Sequence, residues 1–252
     1  MSYEPKILAL DVERCSMISR HYERYGNFSI QPKATIRNER IVSFAARWKG
    51  QPKSKTVYFS EWGDGRETML TTLRNLLDEA THMVGWNSKR FDTRTINRDL
   101  FLAGMDRPSE YVDIDLMLAV KRSMYFSSNS LKNITRELGI EGKVEVHDLD
   151  QLTEDAMAGD AKAQRLHRIY NKRDVDVLLD ELYPRLEQWL PVSMMPNVAL
   201  GSNDDLCPRC GSDNLERRGF KYTATGAWQQ YRCSNGHWIR GSRRIATSEL
   251  RA

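Results

Sequence analysis

The chain has 252 residues, 40% hydrophobic and 29% charged, an ordinary globular composition with room for one sizeable domain and a small one. No apolar run approaches the ~20 residues of a membrane-spanning helix, so a membrane role is not expected. The net charge of +4 falls on the last fifth of the chain: nine Lys and Arg face five Asp and Glu from Gly201 onward, while 29 of each sign precede it.

Lys6 to Glu13 reads as a buried strand that the chain enters at once, without a signal-peptide layout. A cytoplasmic location is the corresponding expectation. Residues 14–40 are polar and irregular and read as a long loop. Ile41 to Trp48 and Lys55 to Phe59 read as two more strands, with Gly50-Gln51-Pro52 turning between them. Met69, Leu70, Leu73, Leu76 and Leu77 space an amphipathic helix over Arg66 to Ala80. A strand over His82 to Asn87 and a helix over Phe91 to Ala103, closed by Gly104, follow. Tyr111 to Ile114 is strand-like. Helices are expected near Leu116–Met124 and Leu131–Leu138, and a last one runs from Ala161 through Asp174, ended or kinked by Pro184.

Strands first, then strands alternating with helices, predict an α/β fold: a mixed sheet flanked by helices. Pro191 to Asp205 has few periodic apolar residues and reads as a linker. The expected domains are therefore residues 1–190 and 206–252, joined by 191–205.

Four carboxylates stand where a carboxylate is a poor structural choice. Asp11 and Glu13 end an apolar strand and, two apart, share one face of it. Two like charges side by side cost energy unless a cation lies between them. Asp92 follows Phe91 after another apolar strand, where it also reads as a first-turn acid favoured by the helix dipole. Asp174 lies one helical turn after Tyr170, on the same face; Asp176, two further on, faces elsewhere. Acids at the ends of several buried elements suit a site for divalent cations.

In this order the motifs resemble the DEDD superfamily of 3′→5′ exonucleases. They are Asp11-Val12-Glu13, then Asn87-Ser88-Lys89-Arg90-Phe91-Asp92, then Tyr170-Asn171-Lys172-Arg173-Asp174. The third is the tyrosine version. Asn129 to Ile134 with Leu138-Gly139-Ile140 is similar to the helix that precedes it. The resemblance covers roughly residues 5–190 and implies an RNase H-like fold with two-metal phosphodiester hydrolysis. It implies that Asp11, Glu13 and Asp174 hold one Mg²⁺ or Mn²⁺, that Asp11 bridges to a second, and that Asp92 reaches the second directly or through water. Tyr170 would orient the attacking water, because a phenol is a poor base at neutral pH. Asn87 and Phe91 would line the cleft for the terminal nucleotides; they read equally as a turn amide and a core aromatic. In the loop leaving Glu13, His21, Tyr22, Arg24, Tyr25, Phe28 and Arg37 could touch bases and phosphates, or form a solvated connector. Cys15 reads as a small buried residue.

In the tail, Cys207-Pro208-Arg209-Cys210-Gly211 is a metal knuckle. The second pair is Cys233 and His237 in place of Cys-x-x-Cys. These four predict a tetrahedral structural Zn²⁺ site in a segment too small to fold well without one. The tail resembles the zinc ribbons attached to nucleic-acid enzymes. Between Leu215 and Ile245 seven basic residues, including Arg217, Arg218, Lys221, Arg243 and Arg244, face one acid, Glu216. Aromatics, Trp228 among them, interleave with these. Charge for phosphate and rings for bases suit single-stranded nucleic acid, although some rings would form the ribbon's own core.

The expected function is a metal-dependent 3′→5′ exonuclease on single-stranded or frayed DNA, in replication proofreading or repair, with a DNA polymerase or another replication protein as partner. A 3′→5′ exoribonuclease and a non-catalytic nucleic-acid-binding subunit stand as alternatives.

Overall fold

A computed structural model of the chain describes residues 4–20, 32–140, 146–199, 205–223 and 226–246. Two compact units result, one spanning Lys6–Leu190 and one built from Pro191 onward. No helix among the described residues is long and apolar enough to cross a membrane.

The first unit runs β1 (Ile7–Cys15), β2 (Ile18–Ser19), β3 (Thr35–Arg37), β4 (Arg40–Trp48), β5 (Val57–Ser60), α1 (Arg66–Glu79), β6 (His82–Gly85), α2 (Asp92–Leu102) and β7 (Val112–Asp115). Helices α3 (Leu116–Ser123), α4 (Leu131–Glu137), α5 (Leu149–Met157), α6 (Ala161–Val177) and α7 (Tyr183–Leu186) complete it. Five strands form one sheet in the order β5-β4-β1-β6-β7. β1 is central, antiparallel to β4 and parallel to β6, so the sheet is mixed.

The alternation of β1 decides what lies on each side. Leu8, Leu10 and Val12 join a buried cluster with Met69, Leu70, Leu73 and Leu77 of α1 and Ile96 and Leu100 of α2. Asp11 and Glu13 point the other way, toward α6. Each terminus of α2 is marked in the sequence. Asp92 is its first residue, and Gly104 beyond its end takes a φ of 68°, where a side chain is disfavoured.

Pro184 acts before it is reached. The amide of Tyr183 bonds five residues back, to Leu178, in a widened turn over Leu178–Leu182. This insertion accommodates a ring that cannot donate to the helix.

Residues 14–40 are less of a loop than expected. β1 extends to Cys15, and β2 pairs with β3 as a short ribbon. Their polar composition conceals this alternation. His21, Tyr22, Arg24, Tyr25 and Phe28 lie outside the described residues. Arg37 is committed to an ion pair with Glu154, with one guanidinium nitrogen 2.8 Å from Oε2. Helix α5 has no counterpart in the sequence reading. Its buried residues are only Leu152, Thr153 and Ala156, and Asp150, Glu154 and Asp155 dilute the pattern. Asp148 caps it by accepting from Gln151 N–H at 2.9 Å.

In the second unit β8 (Leu215–Thr223), β9 (Gly226–Cys233) and β10 (Trp238–Ala246) form an antiparallel sheet with β9 in the middle. Residues read as linker take part in it: Val198 N–H donates to the Pro208 carbonyl at 2.8 Å.

Candidate functional site

Asp11 and Glu13 on β1 and Asp174 on α6 offer oxygens that all lie within 4.8 Å of one another. Asn171, one helical position from Tyr170 and fully buried, ties α6 to the strand. Its Nδ2 donates to Asp11 Oδ2 at 2.6 Å and to the Asp11 carbonyl at 3.2 Å. Asp92 enters from a third element. It is buried at the start of α2 and accepts from Val12 N–H at 3.1 Å, between the two acids of β1. Three of the four expected acids thus converge, and the fourth lies beside them, outside the 4.8 Å group.

This arrangement is unfavourable for free carboxylates. Burial pushes Asp11 well above the usual carboxylate range, and Glu13, Asp92 and Asp174 push it further, against the bond from Asn171. Burial, then Asp174 and Asp92, raise Glu13 to about 8. Burial also raises Asp92, to about 7, with the Val12 amide opposing. A divalent cation held among these oxygens would relieve the repulsion. A set made only of carboxylate oxygens fits Mg²⁺ or Mn²⁺.

Tyr170 is hydrogen-bonded to Asp174, and burial followed by that acid's charge raises its phenol above the ordinary range. It remains protonated at neutral pH, so it can donate a hydrogen bond but does not act as a base. Asp176, two residues beyond Asp174 on α6, accepts from Thr56 Oγ1 at 2.6 Å.

The turn that delivers Asp92 is braced from β7. Asn87 sits at φ 64°, a left-handed conformation that asparagine tolerates. Its N–H donates to Asp115 Oδ1 at 3.0 Å, and Lys89 N–H to Oδ2 at 3.3 Å. Ser88 and Thr93 hydroxyls each donate to Asp113 at 2.6 Å. Asp113, Asp115 and Asn171 are absent from the sequence reading. The same acid-x-acid alternation that marks Asp11 and Glu13 recurs at Asp113-Ile114-Asp115 and was the available signal. Phe91 packs against the main core and lies beneath Arg14, whose guanidinium carbon is 4.7 Å from the ring centroid.

The second unit brings together Cys207, Cys210, Cys233 and His237, with ligand atoms within 4.8 Å of one another. Cys207 Sγ lies 3.8 Å from His237 Nδ1, Cys210 Sγ 3.8 Å from Cys233 Sγ, and Cys233 Sγ 3.5 Å from His237 Nδ1. Zinc bonds of ~2.3 Å to sulfur and ~2.0–2.1 Å to nitrogen give tetrahedral edges of about 3.5–3.8 Å. The donor set therefore fits Zn²⁺ in both chemistry and spacing. Gly211, at φ 73°, lets its N–H turn back to the Cys207 carbonyl at 2.8 Å. Burial opposes ionisation of Cys210, but bonds from the Ser212 amide, Asn235, His237 and Cys207 bring its thiol down to about 6.

Of the expected nucleic-acid contacts in the tail, three form one cross-strand row: Lys221 on β8, Trp228 on β9 and Arg244 on β10. Arg240 and Arg244 guanidinium carbons lie 5.0 and 5.8 Å from the Trp228 ring centroid. Arg217 is exposed on β8. Arg218 pairs with Glu216 at 2.8 Å, so its charge is partly engaged. The Arg243 side chain lies outside the described residues.

The family model of the RNase_H superfamily matches residues 37–180, more than half of the chain. The chain belongs to the RNase_H superfamily. Its mixed sheet flanked by helices is the RNase H-like fold. Asp92 and Asp174 fall within the matched span, and Asp11 and Glu13 lie before its start at residue 37. No curated protein matches this superfamily member. Among solved structures, it resembles the family B DNA polymerase from the hyperthermophilic archaeon Pyrobaculum calidifontis, at 15% identity and a TM-score of 0.48, over 88% of this chain and 32% of that one. It therefore spans about a third of that polymerase.

Proposed function

We propose that this RNase_H superfamily chain is a metal-dependent 3′→5′ exonuclease of the tyrosine DEDD type, acting on single-stranded or frayed DNA. The observation that carries the reading is the convergence of Asp11, Glu13 and Asp174 within 4.8 Å, with Asp92 fastened between the first two through the Val12 amide. No packing requirement explains mutually repelling acids at the end of a buried strand, whereas cation binding does.

Asp11, Glu13 and Asp174 would hold one divalent cation, and Asp92 with Asp11 the other. Two such ions, when bound, supply an activated water and neutralise charge on the attacking and leaving oxygens. Asn171 fixes the Asp11 carboxylate through a bond that leaves its other oxygen available. Tyr170, kept protonated, would donate a hydrogen bond that orients water or a phosphate oxygen, and would not act as base. Phe91 and Asn87 stand next to Asp92, where the terminal nucleotides would lie. Cys207, Cys210, Cys233 and His237 would hold a structural Zn²⁺, and the Lys221–Trp228–Arg244 row would contact the strand.

The test uses matched DNA and RNA oligonucleotides labelled at the 5′ end, with Mg²⁺ or Mn²⁺. A ladder shortening from the 3′ end of DNA is expected. RNA shortened with DNA spared would make the chain an exoribonuclease. Cleavage of neither, with binding retained, would overturn the catalytic reading in favour of a binding subunit.

A further inference from the structure

Beside the acidic centre, β1 and α2 enclose an open cavity of about 370 Å³ lined by Arg14, Asn87, Arg90, Phe91, Arg94, Thr95 and Arg98. Its volume is within the ~300–1,000 Å³ typical of ligand clefts. Four of seven lining residues are arginines and none is acidic. The concentration is local, because basic and acidic residues balance over the first 200 residues.

The arginines come from two elements. Arg94 and Arg98, four apart, share one face of α2, and Arg90 lines the cavity from the turn before it. Arg14 joins them because strand alternation puts it on the side of β1 that carries Leu8, Leu10 and Val12 and packs against α2. Arg98 is spoken for structurally: it bonds Glu39 at 2.7 Å and buried Asp99 at 3.0 Å. Arg14, Arg90 and Arg94 are exposed and have no ion pair among the described residues. Arg14 is nevertheless held in place, stacked over Phe91. Unpaired arginines lining an open cavity suit phosphate, whose oxygens accept paired N–H donors. Phe91 adds an aromatic edge, and Asn87, pinned by Asp115, an amide, so the lining can also meet a base or sugar.

We infer that this cavity binds the phosphate backbone of a nucleic-acid strand through Arg14, Arg90 and Arg94, next to the position at which the acids act. The inference rests on the proposed nucleic-acid substrate, but not on cleavage. Phe91 of the lining directly precedes Asp92 in the chain and Arg14 directly follows Glu13, so the cavity and the acids are built on the same backbone segments. The arginines fix where the strand runs, and the acids fix where it would be cut.

The experiment measures anisotropy of a fluorescent single-stranded oligonucleotide with the zinc-loaded full chain, without added Mg²⁺ or Mn²⁺, from 50 to 200 mM salt. Arg90→Ala with Arg94→Ala should weaken binding about tenfold or more at low salt. For a single strand the slope of log K against log salt should shrink by about 1.4, two contacts at ~0.7 each. Arg90→Lys with Arg94→Lys should keep the slope. Both side chains are exposed and unpaired, so the fold should be unaffected, which circular dichroism checks. Unchanged affinity and slope in the alanine double variant would overturn the assignment. Equal affinity of the wild type for a single nucleotide and for the oligonucleotide, both lost in the variant, would also overturn it, in favour of a free-nucleotide site. Arginine-dependent binding without cleavage in Mg²⁺ or Mn²⁺ would leave this site standing and remove the nuclease reading. Cleavage with arginine-independent binding would do the reverse.

Discussion

Asn171 holds Asp11 at two points, its amide nitrogen 2.6 Å from the carboxylate and 3.2 Å from the backbone carbonyl. One side chain thus sets both where the strand lies against α6 and which way its central acid faces. Its own Oδ1 is buried without a hydrogen-bond partner among the described residues. Retaining such an atom costs energy, so the amide is there for what its nitrogen does. Asn171→Ala should raise the metal concentration for half-maximal activity by 10–100-fold, the usual effect of removing a ligand's supporting partner. The titration with Mn²⁺ checks it. An unchanged requirement, with activity lost, would show that Asn171 acts elsewhere.

The carboxyl groups make stability depend on pH in a definite direction. Asp11, Glu13 and Asp92 bind protons more tightly folded than unfolded, because of burial and of one another. Without metal, the stability these three carboxyls contribute is therefore fully present below the ordinary carboxylate range, ~4, and is lost as pH rises toward about 8, where Glu13 ionises. Divalent cation should restore what is lost. Thermal melts of the zinc-loaded chain without added divalent cation at pH 5 and 8, repeated with Mn²⁺ at pH 8, measure this. Asp11→Asn should raise the melting temperature at pH 8 without Mn²⁺.

Gly85 bears on the position of Asp92. A Cβ there would lie 2.6 Å from the Ser88 Cβ, inside the turn that presents Asn87, Phe91 and Asp92. Gly85→Ala should cost about 1–3 kcal/mol of stability by overpacking. It should also lower activity beyond that loss, because the turn must move. Denaturant melts alongside initial rates separate the two effects.

The second unit should carry one zinc per chain, counted with a colorimetric chelator. His237→Ala should lose the ion, and His237→Cys, which restores a four-thiolate set, should keep it. Stripping the metal should unfold β8–β10 while the Lys6–Leu190 unit keeps its structure, since so small a sheet has little core of its own. Full retention of the sheet's structure without zinc would contradict a structural role.

Much of this was legible in the chain. The strands β4 and β6 announce themselves as short apolar runs buried on both faces, and helix α1 through period-3.6 burial of one face. Asp11 and Glu13 stand out because they end such an apolar run. Asn171 and Asp115 do not, since a polar residue on a helix or at a strand end violates nothing locally; only the tertiary partner gives it meaning. The Arg90, Arg94 and Arg98 spacing is visible, but a charged row on a helix is normally solvated. What turns it into a cavity wall is Arg14 arriving from β1, a tertiary neighbour that no local pattern in α2 encodes. Helix α5 was hidden by acids on its exposed side.

The central claim is that Asp11, Glu13, Asp92 and Asp174 exist to hold divalent cations. The most direct measurement is Mn²⁺ binding by electron paramagnetic resonance, titrating the zinc-loaded full chain beside Asp11→Asn and Asp174→Ala. The expected result is two Mn²⁺ ions per wild-type chain, with at least one lost in each variant. A wild-type chain that takes up no Mn²⁺ at millimolar concentration, or variants that bind as it does, would contradict the claim.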